Sequence, residues 1–447
     1  MAGGTWTAQN KVRPGIYINF SSKGGRVPAL GSRGTAAACR PLSWGPVGEV
    51  MTIDAGADPT AYVGYDTAAP QAWFLREFFK GTDVSAAPTK LLLSRPAASG
   101  AVQAAAELSA GVTATALYPG VRGNDIAVAV SEDVDEPGTF TVLTLVDGAQ
   151  ADRQQAKTVS DLKANGWVSF SGDGPLAAAA GGKLSGGGDG TVEISGYAAA
   201  LEALESYSFD ILLYDGADSA VRQACASFVQ RLAGQEGRYS QLVTSGAVNA
   251  DSQFVINSRS GVVLEDGSVL TAQEAVWWLA GAQAGAQAYQ SLSCAAYPGA
   301  VDVSPKLTGS QIEAAILAGD VVFSEEFGRV RIETDINTLV TFTPELGEAF
   351  HKNRTMRSCN CLANDIYREF SLHYQGKVDN NEEGRGLFKA AILEYLLDMY
   401  ARGGLRQRPA GEDVEVLEGK TADSLVINLA FRLADAVEKI YMTVSVS

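Results

Sequence analysis

Alternating and helical patterns of apolar residues divide the chain into segments of different character. Residues 13–20, RPGIYINF, form a short period-2 run. Ile16, Ile18 and Phe20 point one way, Tyr17 and Asn19 the other, with Gly-rich breaks on both sides. The end of the chain mirrors this start. Ile440, Met442, Val444 and Val446 alternate with Tyr441, Thr443, Ser445 and Ser447. Neither run has an apolar partner close by in sequence.

Between these ends, several elements are predicted. EVMTIDAG and AYVGYD suggest short strands, QAWFLREFFKG (71–81) an amphipathic helix, and KLLLSRP (90–96) a buried strand ended by proline. From 96 the pattern shifts to short β-branched runs, GVTATALYPG, NDIAVAVSED and GTFTVLTLVDG, separated by turn residues. That spacing suits a small antiparallel sandwich. AAAAGGKLSGGGDGT then suggests a linker or exposed loop.

From 191 strands and helices alternate. Helix GYAAALEALESY, strand FDILLYD (209–215), helix 217–234, strand SQLVTSG (240–246) and helix 272–289 follow in turn. That order implies parallel pairing with right-handed crossovers. Ser310 and Glu313 fit a capping box, and residues 320–336 a hairpin turning at Phe327-Gly328. Beyond 340 two helices are predicted, over about 345–374 and 384–404. Leu387, Phe388, Ala391, Leu396, Met399 and Tyr400 lie near the buried face of the second. Strands at 424–433 and 439–447 close the chain.

The expected fold class is therefore α/β and β multidomain. It comprises an N-terminal arm with a strand (1–22) and a small mixed domain (23–95). A β-sandwich-like domain (96–190) and an α/β core domain with parallel-type strands (191–339) follow. An α+β C-terminal domain (340–436) and a C-terminal strand (437–447) complete it; the resemblance given below implies that both terminal strands are donated and that 96–190 lies outermost.

Composition narrows the function classes. The 447 residues carry 35 Lys plus Arg against 51 Asp plus Glu, a net charge of −16. Such a chain is repelled by nucleic acid and anionic membranes unless it carries a local basic patch. Five scattered cysteines argue against a disulfide framework and suit a reducing compartment. No secretory leader pattern is visible, and no apolar run approaches the ~18 residues of a membrane helix.

The candidate chemical motifs fail on their spacing. GGKL lacks the phosphate-loop glycine at Ala177 and the hydroxyl at Leu184. Asp133 and Asp135 could open a calcium loop, but its twelfth position is Thr144, not Glu. Cys359 and Cys361 near His351 have no second pair to complete a metal site, and the other histidine is His373. Ser245 follows a strand, but Val243 stands where a nucleophile elbow needs Gly. The expectation is no catalytic residue, no metal and no cofactor. Lys352, Arg354 and Arg357 form one basic cluster in an acidic chain. It is either a solvated helix face or a docking surface for an acidic protein. The terminal strands either pair within their own subunit or are donated to a neighbour, since an open strand edge is a pairing template.

Longer ordered stretches carry a resemblance. GGTWTAQNKVRPGIYINF, YPGVRGNDIAV, ETDINTLVTFTPELGEAFHKNR, ANDI, GKVDNNEEGRGLFKAAILEYL and VEKIYMTVSVS span the chain. With them it resembles the sheath proteins of contractile phage tails and their prophage-derived relatives in Gram-positive bacteria. The resemblance implies a structural protein that stacks as hexameric rings around an inner tail tube. It implies contraction on a baseplate signal, with the tube driven through a target envelope. The implied partners are further copies of the chain, the tube protein, and baseplate and terminator proteins, with no nucleic acid or membrane. The implied location is the tail of a phage or phage-like particle, assembled in the bacterial cytoplasm. Ile16, Tyr17, Ile18, Phe20, Ile440, Met442, Val444 and Val446 would form the intersubunit strands. Lys352, Arg354 and Arg357 would face the tube. The rival classes are an enzyme built on the central α/β domain, or another surface or structural polymer.

Overall fold

A computed structural model of the chain describes residues 2–4, 15–17, 33–247 and 249–445. Two compact units emerge. The first gathers 1–38, 74–91 and 207–447, the second 39–73 and 92–206.

The first unit is built on a parallel sheet. Six of the sheet's seven strands run in the order Asp320–Val321, Val255–Ser258, Gln241–Ser245, Ile211–Leu213, Thr35–Cys39, Lys90–Ser94. The first four come from the segment where alternating strands and helices predict parallel pairing. Thr35–Cys39 comes from the segment expected to form a separate small domain, yet it pairs in parallel with Ile211–Leu213, Ala36 opposite Ile211. Its small side chains, TAAAC, are buried from Ala36 to Cys39, as a central strand covered on both faces requires.

Helix Ala272–Gly285 packs on this sheet and is buried from Ala275 to Gly285. It starts at a capping box between Thr271 and Glu274. The run GAQAG reflects its all-round burial. A methyl group at Gly281 would lie 2.0 Å from the Phe78 carbonyl oxygen. Trp278 stacks on Tyr297 at 4.0 Å and donates to the Gly81 carbonyl at 2.9 Å. Trp277 donates to Asp215 at 2.8 Å, so both indoles are buried with their polar edges satisfied.

The remainder of this unit is helical with small hairpins. Helix Asn353–Glu369 is preceded by a 3₁₀ turn and continues into a π turn at Phe370–Tyr374. Glu382–Ala401 packs against it through Phe388, Ile392, Leu396 and Met399, together with Leu362 and Ile366. Leu387 and Tyr400, expected near the buried face, are 55% and 39% exposed. The capping box of helix Gly309–Leu317 lies at Thr308 and Gln311, two residues earlier than expected. The hairpin Phe323–Glu326 with Arg329–Ile332 turns at Phe327-Gly328, both with positive φ.

The second unit has a core of two antiparallel sheets. Three strands run in the order Val168–Gly172, Val112–Ala116, Ala105–Ser109. Four run Ala149–Ala156, Phe140–Val146, Ile126–Glu132, Ala179–Lys183. Their inward residues share one core around Val128, Val142 and Val168. Two expectations change here. The Gly-rich stretch is no free linker, because Ala179–Lys183 is an edge strand and Asn124 brackets Gly187 at 2.9 and 3.0 Å. AYVGYD forms a helix, Thr60–Val63, rather than a strand.

The motif YPGVRGND sits at the centre of this unit. Gly120 has φ +134°, and a methyl there would approach the Ser43 carbonyl oxygen to 2.1 Å. Arg122 is buried and donates to both carboxylate oxygens of Asp147 at 2.8 and 2.7 Å. It also donates to Asp125 at 3.1 Å and to the Gly64 carbonyl at 2.8 Å, and lies 4.2 Å over the Tyr65 ring.

Candidate assembly site at the chain ends

The C-terminal hairpin pairs Val414–Glu418 with Leu425–Leu429, Val416 opposite Ile427. Val414 is fully buried, and the hairpin rests on the cluster formed by the two long helices. A two-stranded ribbon is marginal without such support. Among the described residues no third strand pairs with either of its edges.

Past this hairpin the chain is tied at a few points. Ala434 donates to the Gly404 carbonyl at 2.9 Å, and Leu433 bridges Leu405. Asp435 and Glu438 then meet the basic cluster. Lys352 pairs with Glu438 and, at 3.5 Å, with Asp435; Arg354 lies 3.9 Å from Asp435. Burial alone would lower the Lys352 pKa, but the hydrogen bond and charge of Glu438, with Asp435, raise it.

Arg357 sits elsewhere. It is fully buried and pairs with Asp335 at 2.5 Å. Of the three cations expected to face the tube, Arg357 is therefore corrected: it is enclosed within its own chain. Arg357 presents no charge to a partner, and Lys352 and Arg354 are engaged by the chain's own carboxylates. The sequence distance of Asp335 hid this arrangement, although both it and Arg357 bear ordinary signs of an ion pair.

Residues 439–445 form no strand in this chain. Ile440, Met442 and Val444 are 83%, 80% and 69% exposed, and Tyr441 is exposed as well. Their alternation is therefore unused within the chain. At the other end Gly15–Tyr17 pairs in parallel with Ala2–Gly4, and Ile16 packs on the cluster of the two long helices. Ile18, Phe20 and Val446 lie outside the described residues.

No group of three His, Cys, Asp or Glu side chains among the described residues could hold a metal ion. Cys359 and Cys361 are buried, and burial pushes the Cys359 thiol up to about 12. His351 faces the Leu339 carbonyl at 2.6 Å, and burial lowers its pKa. No helix among the described residues is long and apolar enough to cross a membrane.

Four family models match successive parts of the chain. They are the N-terminal region of tail sheath domain III (33–84), the phage tail sheath beta-sandwich domain (99–189), the central domain (190–338) and the C-terminal domain (345–447). The phage-like element PBSX protein XkdK of Bacillus subtilis is 33% identical over an alignment of 475 positions that covers 100% of both chains. The chain belongs to the phage tail sheath family. A tail sheath protein of Clostridium phage phiCD119 is 28% identical over 44% of the chain and 55% of its own length.

Solved structures agree with the sheath fold. The sheath tail protein of Desulfitobacterium hafniense superimposes with a TM-score of 0.83 at 37% identity, covering 96% of this chain and 99% of its own. The sheath of the anti-feeding prophage in its contracted state shares the fold at a TM-score of 0.57 and 13% identity, over 97% and 99% of the two chains. The multidomain α/β and β architecture is that of sheath proteins, and membership places the chain in a phage or phage-like tail particle as a structural component.

Proposed function

We propose that this sheath chain polymerises as stacked hexameric rings around an inner tail tube and contracts to drive the tube through a target envelope. The observation that carries this proposal is the stretch 439–445, patterned as a strand but forming none, beside a hairpin 414–429 whose two edges meet no further strand among the described residues. The stretch is donated to the hairpin of a neighbouring copy, and the N-terminal arm joins the same kind of mesh.

The energetics explain why a neighbour is needed. Ordering an extended segment costs about 1–2 kcal/mol per residue. Burying one apolar side chain stabilises by about 1.5–3 kcal/mol, and only every second residue here is apolar. Side-chain burial alone thus roughly offsets the cost. Ladder hydrogen bonds, each about 0.5–1.5 kcal/mol net, tip the balance once a strand edge is present.

Baseplate and terminator proteins are the further partners on this proposal. Subunits move as rigid bodies while the donated strands keep them linked. The test is negative-stain microscopy of the purified full chain and of a chain ending at residue 438. Sleeves from the full chain and none from the truncated one are expected. Sleeves from both would remove the C-terminal strand from assembly.

A further inference from the structure

The points at which the two ends of the chain join the body are linked by one line of polar contacts, buried at its centre around Asp335 and exposed where it reaches Glu438. At the N-terminal root, Arg33 donates to the Ala286 carbonyl at 3.1 Å and the Gln283 carbonyl at 3.2 Å, and lies 3.4 Å from Asp210. Asp210 in turn accepts from the backbone of Gly34 and Thr35 at 3.0 and 3.1 Å. The Gln283 side chain is completely buried. Its amide donates to Asp335 at 2.8 Å, and its oxygen accepts from Arg357.

Asp335 is the centre of the line. One carboxylate oxygen accepts from Gln283 and from Asn353 at 3.0 Å; the other accepts from Arg357 at 2.5 Å and the Leu292 N–H at 3.0 Å. The Asp335 N–H donates to the Ser293 hydroxyl at 3.0 Å. That hydroxyl donates onward to Glu438 at 2.8 Å. Glu438 is the last residue held before the exposed stretch, and Lys352 pairs with it from the other side.

We propose that this line, Arg33–Gln283–Asp335–Ser293–Glu438, is a stiff polar strut that couples the roots of the two terminal arms. Ser293 and Gln283 are its positioning residues. An apolar core lets side chains slide past one another with small penalties. A buried carboxylate with four donors does not, because each lost partner leaves a desolvated charge unmet. Displacement at Glu438 is therefore passed to Arg33 rather than dissipated. The mechanical meaning, a load path from one donated strand to the other, rests on the proposed assembly. The coupling itself is a property of the single chain and is tested there.

The experiment is hydrogen exchange with mass spectrometry on the full chain held unassembled, comparing wild type, Ser293→Ala and Asp335→Asn. Ser293→Ala removes one hydroxyl and leaves the Asp335–Arg357 pair in place, so the chain still folds. It is expected to speed exchange several-fold at Ala434–Glu438 and also at Gly34 and Thr35. Asp335→Asn should raise both further. Val229→Ala, a buried change on helix Ser219–Arg231, controls for general loosening. Faster exchange at the C-terminal root alone would show two independent anchors and overturn the strut. The same paired response in Val229→Ala would overturn it too, since the effect would then be global. Failure of sleeves to form in microscopy would leave the exchange result standing, and the reverse also holds.

Discussion

At the scale of single residues, two of the buried arginines, Arg357 and Arg122, have opposite lessons. Arg357 and Asp335 are an interior ion pair, and an interior pair is costly to halve. Asp335→Asn is expected to destabilise the first unit by about 3–5 kcal/mol, read by chemical denaturation. Burial would raise the Asp335 pKa, but the charge of Arg357 and the hydrogen bonds from Arg357, Gln283 and Leu292 outweigh it and hold it below the ordinary value. The sign follows. Its stabilisation is complete above about pH 4, the unfolded value, and is lost as pH falls through the lower folded value. Denaturation followed from pH 6 to pH 3 should show a steeper loss in wild type than in Asp335→Asn. Arg122 works by shape as much as charge. Its flat fork meets Asp147 with two hydrogen bonds while its face covers Tyr65. Lysine cannot do both. Arg122→Lys should cost the second unit about 1.5–3 kcal/mol, visible as an earlier unfolding transition in calorimetry.

At the scale of elements, the sandwich borrows its core from an earlier segment of the chain. Trp44 is fully buried in that core, 5.3 Å from Tyr118 and 5.0 Å from Trp167. Trp44→Ala should destabilise the second unit by about 3–5 kcal/mol, and limited proteolysis should then cut within 96–190. Excising 96–190 alone would leave this indole without its partners. What the sequence made legible follows from range. The strands at 126–132 and 140–146 carry β-branched alternation that needs only local pairing, and they stand where expected. The helix at 272–285 stands within the expected 272–289, and its capping box at Thr271 and Glu274 went unread. Thr35–Cys39 was not legible, because three alanines have no strand signature and their place between two strands is set by residues near 211 and 90. The Gly-rich stretch looked like a linker because the pin that orders it, Asn124, is far away in sequence. The basic cluster looked like a surface for the same reason. Its acids are at 335, 435 and 438, and no local pattern announces them.

At the scale of the whole molecule, assembly and stability separate. Val444 is 69% exposed, so Val444→Asp should change unfolding of the single chain by less than about 0.5 kcal/mol. In a donated strand the same carboxylate would be buried unpaired, and sedimentation should show no large particles. Large particles at wild-type yield would place Val444 outside the contact. The free stretch and the unpaired hairpin edges also give the molecule a valence. At the C-terminal contact it behaves as an A–B monomer in the sense of step-growth chemistry: every copy brings one hook to another copy's eye. Such a monomer grows without an intrinsic length, and the reaction is ended by any species that brings an eye but no hook. The Val444→Asp chain is such a species. Added in small proportion to wild type, it becomes a chain stopper, and mean particle length should shorten as its fraction rises.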